Sequence, residues 1–236
     1  MTVNKVQYDK SLSADIVIFT INEDALKILL VQRAHAPDKG KWALPGGFRK
    51  IGVDHNLDDI ANRRLIEETG TKVPYLEQLY TFGSEDRDPR GWVTTVAYFA
   101  FVPYDKVRLI AGEGVSESKW RTIYNHQAPE NLAFDHSKII GLALERVRSK
   151  LEYTPIAPYM LGDEFTLPQM QKVYELILDC DLDKTFFRRS LKRADILIAT
   201  KKQEQATGHK RAMLYKFKKG ADKALFFPRG LVRSKT

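Results

Sequence analysis

The chain has 236 residues, of which 43% are hydrophobic, and this apolar share excludes disorder for the bulk of the chain. Its one cysteine, Cys180, excludes an internal disulfide framework and zinc sites of the multi-cysteine kind. The apolar runs are far shorter than the roughly 20 residues that a membrane span needs, and the polar N-terminus has no hydrophobic signal core. We therefore expect a soluble, cytoplasmic protein with one large domain or two small ones.

The basic charge is concentrated toward the C-terminal end. The formal net charge is +8, but residues 1–150 are nearly balanced, with 21 basic and 20 acidic side chains. Residues 184–236 hold 16 basic and 3 acidic side chains. A cationic segment of this kind commonly meets a polyanion, because the release of counterions from phosphates drives association. The charge alone leaves open that the segment is only a solubilising basic tail.

Hydrophobic patterning predicts strands and two helices in the first 150 residues. The predicted strands cover residues 15–19, 27–32, 76–82, 93–101 and 119–123. The first two flank a turn at residues 22–24, where Asn, Glu and Asp follow one another. The predicted helices cover residues 57–69 and 136–151, and Gly70 is the expected C-cap of the first.

For the remaining residues, the sequence pattern predicts a linker followed by a second, smaller domain. Residues 152–164 lack periodicity and include two prolines. Thr166 is the predicted N-cap of a helix that runs to about residue 178, and Asp183 that of a basic helix over residues 184–193. Two alternating runs, residues 196–203 and 213–218, predict a β-hairpin. The predicted boundaries are 1–151 for the N-terminal domain, 152–164 for the linker and 165–236 for the C-terminal domain.

Residues 47–70, GFRKIGVDHNLDDIANRRLIEETG, resemble the Nudix box, G-x5-E-x7-R-E-U-x-E-E-x-G-U, in which U is an apolar residue. In that motif a loop and a helix bring carboxylates to one helix face. There they hold divalent cations, usually magnesium, which bridge a pyrophosphate and help water to attack phosphorus. The resemblance implies an α+β protein whose N-terminal domain has the Nudix fold, an α/β/α sandwich with a mixed sheet.

The box departs from the motif at its acidic positions, and its loop is two residues longer. Alignment on Glu67 and Glu68 places Arg63 at the arginine of the motif. Arg64 then falls at the first glutamate of the helix, and His55 at the isolated glutamate. The fixed positive charge of Arg64 repels magnesium. We therefore predict no catalytic residues at the degenerate positions His55, Arg64, Glu67 and Glu68.

The two remaining glutamates leave two interpretations open. Glu67 and Glu68 could bind one magnesium ion, or they could form a salt-bridged helix end with Arg63 and Arg64. We expect that the protein requires no cofactor. Magnesium would bind only if these two glutamates keep some affinity for a metal ion.

Residues 80–96, YTFGSEDRDPRGWVTTV, resemble the ADP-ribose-specific branch of the Nudix superfamily, in which an arginine-rich loop after the box contacts phosphates and ribose. Arginine geometry suits bidentate contacts with phosphate. The resemblance implies a ligand site with Arg87 and Arg90 for the phosphates, Arg33 at the pocket mouth, and Phe48 or Trp120 for adenine stacking. The alternative is that Arg87 and Arg90 pair with neighbouring aspartates in a solvated loop.

Residues 165–219 have the element order of a winged helix-turn-helix module. In its basic helix, Phe187 and Leu191 form an apolar side, which leaves the polar side free to enter a major groove. The hairpin tip is placed to reach backbone phosphates or the minor groove. The predicted DNA-binding residues are Lys184, Thr185, Arg188, Arg189 and Lys192 in the helix and His209, Lys210 and Arg211 in the tip.

The two halves in this order resemble the Nudix-related transcriptional regulators of NAD metabolism, NrtR, over nearly the whole chain, including the phrase FTLPQMQKVYELIL. The resemblance implies a homodimer that represses NAD biosynthesis or salvage genes by binding a palindromic operator in double-stranded DNA, with ADP-ribose as effector and no membrane partner. One alternative is an active magnesium-dependent ADP-ribose pyrophosphatase with a nucleic-acid-binding C-terminal domain. Another is a Nudix protein whose basic tail binds RNA without sequence preference.

Overall fold

The computed structural model describes residues 7–110, 112, 114–204 and 211–229. The chain divides into two compact units, one formed mostly by the described residues up to 144 and the other mostly by those from 145 onwards. Across the described residues, no helix has both the length and the apolar composition to cross a bilayer.

The N-terminal unit contains a seven-stranded sheet of described residues. Its strands and helices are β1 (Tyr8–Asn22), β2 (Ala25–Arg33), β3 (Trp42–Ala43), β4 (Gly46–Lys50), α1 (Leu57–Thr69), β5 (Tyr75–Phe82), β6 (Thr94–Phe101), β7 (Val115–Thr122) and the start of α2 (His136–Leu151). The order is β3-β2-β1-β6-β5, with β4 also paired to β1 and β7 to β2. Strands β1 and β6 run parallel, whereas β4 is antiparallel to β1, β3 and β7 are antiparallel to β2, and β5 is antiparallel to β6. The predicted mixed sheet is confirmed.

Strand β1 begins seven residues before the predicted strand at residues 15–19. Its first residues form no long apolar run, but they pair with β4, beginning with Tyr8 opposite Lys50. Its central residues lie in the middle of the sheet and are buried, as their continuous apolar sequence predicts. The additional length of β1 positions β4 beside the core, where β4 contributes to the site described below.

Helix α1 has the bounds that its periodicity predicts. At its N-terminus Asn56 and Asp59 form a capping box, and at its C-terminus Gly70 adopts the left-handed conformation, with φ 69°. Ile60 and Leu65 pack against residues of the sheet in one hydrophobic cluster. Arg64 and Glu68 are buried along with these apolar residues, and Arg63 and Glu67 beside them are partly buried, so the packing of α1 also fixes the charged groups of the box.

The C-terminal unit has the predicted winged-helix order. After β8 (Phe165–Thr166) come α3 (Leu167–Leu178), α4 (Lys184–Ala194), β9 (Leu197–Glu204) and β10 (Ala212–Phe217). The three strands form a sheet in the order β8-β10-β9. Thr166 and Asp183 cap α3 and α4 with their side chains, as predicted. The two-residue strand β8 was not predicted, because its pairing with β10 is long-range and its sequence is too short for a pattern.

Within residues 152–164, a short 3₁₀ helix covers Ala157–Met160. The boundaries 1–151, 152–164 and 165–236 stay predictions.

Beyond β10, Phe226 is buried and forms edge-to-face contacts with Tyr174 of α3 and Phe187 of α4, with ring centroids 5.5 and 5.7 Å away. The segment around Phe226 therefore packs back onto the winged helix and supports the inner side of α4.

Candidate functional site

The N-terminal unit contains a cavity of about 350 Å³. Its lining includes five basic side chains and two acidic ones, and the basic set is Lys10, Arg33, Arg64, Arg87 and Arg90. Asp15 and Asp88 are the acidic side chains. A concave site with this excess of positive charge attracts an anion of a few hundred Å³, such as a nucleotide.

Arginine side chains stack on two phenylalanine rings at the cavity wall. The guanidinium carbon of Arg90 lies 4.9 Å from the ring centre of Phe48 and 5.5 Å from that of Phe134, and the guanidinium carbon of Arg33 lies 4.6 Å from Phe134. Burial and the neighbouring Arg90 lower the pKa of Arg33. Two like charges that share one ring favour an anion between them.

Arg90 also forms a bidentate pair with a buried carboxylate. Its Nε and Nη2 donate to Asp88 at 2.9 and 2.6 Å. Burial favours a raised pKa for Asp88, but the hydrogen bonds from Arg90 outweigh it, so the pKa of Asp88 is lowered. The alternative to ligand binding was that both loop arginines pair with neighbouring aspartates. The structure shows such a pair for Arg90. Its geometry also presents the planar guanidinium to the cavity in a fixed orientation.

Arg87 is buried and bound to a distant carboxylate. Its Nε and Nη2 donate to Asp135 at 3.1 and 2.9 Å, and Nη1 donates to the backbone oxygen of Val93 at 3.4 Å. Asp15 lies 3.6 Å from Nη2. Arg87 therefore ties the loop after β5 to the segment before α2, and it lines the cavity as a fixed cation rather than as a mobile arm.

His136 is a cavity residue that the sequence analysis missed. Its Nδ1 accepts a hydrogen bond from the backbone N–H of Leu44 at 2.8 Å, and its Nε2 lies 3.8 Å from Asp15 Oδ1. Burial lowers the pKa of His136, so the ring is neutral with its proton on Nε2.

At Gly46 a Cβ would lie 2.2 Å from Asp15 Oδ1, so only glycine allows β4 this close to β1.

The loop of the box is closed by Asp54 and Arg63. Arg63 donates from Nε and Nη2 to Asp54, both at 2.8 Å, and from Nη2 to the backbone oxygen of Phe48 at 2.9 Å. His55 is exposed, and its backbone N–H donates to Asp59. The alignment missed Asp54 because the longer loop shifts the acid by one position. The sequence signal that could have identified Asp54 is its acidic side chain directly before His55.

The two remaining glutamates of the box are already bound by cations. Glu67 is 3.0 Å from Lys50 Nζ and 2.6 Å from Arg64 Nη1. Glu68 is buried, Arg64 Nη2 lies 2.5 Å from its Oε1, and burial raises its pKa to about 6. In the part of the chain that the structure describes, no group of three or more His, Cys, Asp or Glu side chains is arranged to hold a metal ion. This donor set does not fit magnesium, because cations occupy the carboxylates that would bind it.

Four of the five predicted ligand residues lie around the cavity, namely Arg33, Phe48, Arg87 and Arg90. The fifth, Trp120 in β7, is partly buried and packs against the hydrophobic cluster beside α1. Phe134, which was not predicted, takes the second stacking position. The assignment of these residues to a ligand stays a prediction.

The predicted recognition residues of α4 share one exposed side of the helix. Lys184, Thr185, Arg188, Arg189 and Lys192 are all exposed. Phe187 and Leu191 are buried on the other side, as predicted. Arg211 is exposed just before β10, whereas the tip residues His209 and Lys210 lie outside the described residues. Helix α4 thus offers four cations to a partner without a change in packing.

Fold and site together define a class of protein in which a Nudix domain with a cationic cavity precedes a winged helix. The NUDIX domain matches residues 10–142, and the NrtR DNA-binding winged helix domain matches residues 157–217. The chain is 38% identical over 218 residues to the "ADPR responsive transcriptional repressor NtrR" of Acinetobacter baylyi, covering 89% of this chain and 86% of that protein.

Two crystal structures from Shewanella oneidensis extend the comparison. NrtR complexed with a 27mer DNA is 39% identical, with a TM-score of 0.84 over 93% of this chain and 99% of that one. The NUDIX domain of NrtR complexed with ADP ribose is 42% identical, with a TM-score of 0.53 over 60% of this chain and 90% of that one. The chain belongs to the NrtR family, a group of Nudix-related transcriptional regulators.

Proposed function

We propose that the protein is an ADP-ribose-responsive transcriptional repressor that binds a palindromic operator of NAD biosynthesis or salvage genes as a dimer. The observation that carries the proposal is the presence, in one chain, of a cationic cavity and an exposed basic recognition helix. The similar proteins of Acinetobacter baylyi and Shewanella oneidensis support both halves, since one is described as responsive to ADPR and the other was crystallised with DNA.

The cavity supports a nucleotide diphosphate as the ligand. Arg33 and Arg90 supply positive charge that the two lining aspartates do not balance. Phe48 and Phe134 supply flat apolar surface beside those cations, and nucleotides present both a base and charged phosphates. We assign the phosphates to the arginines and the base to the aromatic side of the cavity, which suits the chemistry of ADP-ribose.

The winged helix supports duplex DNA as the partner. In helix-turn-helix proteins, dimers bind half-sites about one helical turn, or roughly 34–36 Å, apart, so that both recognition helices dock on one face of the DNA. Residues 165–236 would supply that module and residues 1–151 the ligand-binding and dimerisation domain, joined by residues 152–164. Such a repressor acts where the DNA is, so a cytoplasmic location is part of the proposal.

The response to ADP-ribose requires a difference in affinity. A ligand shifts a two-state equilibrium only when it binds one state more tightly, and a tenfold difference is worth about 1.4 kcal/mol. For ADP-ribose to release the operator, it must bind the operator-free state of the dimer more tightly than the operator-bound state.

The proposal is tested by binding of the full chain to a labelled duplex from the promoter of a NAD-synthesis gene, with and without ADP-ribose. A random duplex and a single-stranded RNA serve as matched controls. The proposal predicts preference for the promoter duplex and loss of the complex with ADP-ribose. Equal affinity for all three nucleic acids would contradict it and favour a sequence-independent basic tail. Release of AMP and ribose 5-phosphate in the same samples would favour the pyrophosphatase.

A further inference from the structure

The guanidinium of Arg64 lies between two carboxylates at the wall of the cavity. Its Nη1 is 2.6 Å from Glu67 Oε2, and its Nη2 is 2.5 Å from Glu68 Oε1. The side chain is only 9% exposed, although Arg64 lines the cavity. A charged group that is both buried and part of a ligand cavity is held there by its pairing with these two acids.

The pairing leaves part of this guanidinium unsatisfied. An arginine has five N–H donors, and Nε of Arg64 is buried without a hydrogen-bond partner among the described residues. A buried donor without an acceptor is costly, and the cost rises for a charged group. The two acids therefore do not saturate Arg64, and an acceptor oxygen that a ligand brings against this side chain would supply the partner that Nε lacks.

The neighbouring strand is shaped to admit this side chain. A Cβ at Gly47 would lie 3.1 Å from Cδ and 3.2 Å from Nε of Arg64, which is tighter than side chains normally pack. Glycine at the start of β4 therefore leaves room for the guanidinium against the cavity wall. The two carboxylates also fix its orientation, so little side-chain entropy is lost when a ligand binds.

We propose that Arg64 is a built-in cation that binds the diphosphate of the effector where hydrolases of this fold use magnesium, so that ligand recognition needs no metal. The proposal rests on the proposed function, because it takes ADP-ribose as the effector. The residue stands at the box position of a metal-binding or water-activating carboxylate, and it pairs with the two acids that remain, one of which Lys50 also binds. Unlike a magnesium ion, a guanidinium cannot be removed by a chelator and stays charged at any physiological pH.

The test is the dissociation constant of ADP-ribose for the full chain by calorimetry, in EDTA and in millimolar magnesium. We expect the two constants to agree within about twofold, because the cation is covalently part of the protein. Arg64→Gln removes the charge but keeps polar contacts, and a lost charge-assisted hydrogen bond predicts about tenfold or greater weakening. Arg64→Lys restores the charge and should recover part of the affinity. Arg108→Gln, at an exposed arginine of the same unit, is the matched control and should bind as the parent chain does.

Two results would overturn the proposal. One is an affinity that collapses in EDTA, and the other is a folded Arg64→Gln variant that binds ADP-ribose as tightly as the parent chain. If Arg64→Gln does not fold, the comparison of EDTA with magnesium in the parent chain decides alone.

Inorganic pyrophosphate, as a second probe, separates this inference from the proposed function. If the parent chain ignores ADP-ribose but binds pyrophosphate in EDTA, loses it in Arg64→Gln and recovers part of it in Arg64→Lys, the effector assignment fails and the role of Arg64 stands. If neither probe binds, both fail.

Discussion

The guanidinium carbon of Arg90 lies 4.9 Å from the ring centre of Phe48, at the wall of the cationic cavity. The two residues come from different parts of the sheet edge, Phe48 from β4 and Arg90 from the loop that precedes β6. Asp88 holds the guanidinium over the ring through two hydrogen bonds. The arrangement combines an oriented cation with an aromatic surface, which is the pair of groups that a nucleotide needs.

We predict that Arg90→Ala weakens ADP-ribose binding by about tenfold or more, because a charge-assisted contact and its stacking surface are lost together. Calorimetric titration of the full chain measures the effect. Arg121→Ala is the matched control, since Arg121 also stacks on an aromatic ring, that of Trp42, but does not line the cavity. An Arg90→Ala chain with the affinity of the control would show that the stack has only a structural role.

Arg87 is expected to act on stability as much as on binding. Its side chain is 4% exposed and pairs with Asp135. Breaking a buried pair from one side leaves an uncompensated charge, so Arg87→Met should lower the free energy of unfolding by about 3–5 kcal/mol. Urea unfolding at neutral pH measures the loss.

The double variant Arg87→Met/Asp135→Leu is the informative control for that loss. It removes both charges and should recover part of the stability, because Asp135 is no longer left as an unpaired, mostly buried carboxylate. A double variant less stable than Arg87→Met would show that the destabilisation has another origin.

The lowered pKa of His136 predicts that the free energy of unfolding depends on pH. Between the folded and unfolded pKa values the unfolded chain binds the proton and the folded chain does not, so stability rises with pH. The contribution of His136 is therefore present above about pH 6.5, its unfolded value, and is lost as the pH falls through the folded pKa.

The measurement compares the parent chain with His136→Asn, whose side-chain oxygen can still accept from the backbone N–H of Leu44. The stability advantage of the parent chain should shrink between pH 8 and pH 5 in urea unfolding. An advantage that grows toward low pH would contradict the neutral, buried ring. Glu68 does not confuse the comparison, because both chains carry it.

For the DNA-binding face, we predict that Arg188→Ala and Arg189→Ala each weaken operator binding. A lost phosphate contact should reduce the slope of log affinity against log salt by about 1, and a lost base contact should cost about 1–3 kcal/mol and relax sequence preference. Fluorescence anisotropy across a salt series distinguishes the two. Lys172→Ala, at an exposed lysine of α3, is the matched control and should leave the slope unchanged.

Local signals in the sequence are sufficient to predict α1, α3 and α4, because each helix carries its own caps and apolar face. They also predict the i, i+3 and i, i+4 ion pairs of Arg64 with Glu67 and Glu68. The initial part of β1 was missed, since its residues are ordered by pairing with β4 rather than by their own pattern.

The cavity was predicted only in part, and the missing residues are long-range ones. The partner of Arg87 is Asp135, 48 residues away, and no spacing rule connects them. Phe134 joins the stack through a backbone with φ 54°, which sequence periodicity does not indicate in a bulky residue. Asp54 was displaced from the expected position by the longer loop, so spacing selected the exposed His55 instead.

Control of DNA binding by the nucleotide cavity can be measured by titrating a preformed operator complex with ADP-ribose and analysing the nucleotide afterwards by chromatography. We expect that the duplex is released and that ADP-ribose is recovered intact. Operator affinity that is unchanged at saturating ADP-ribose, or AMP accumulating while DNA binding remains indifferent to sequence, would contradict it.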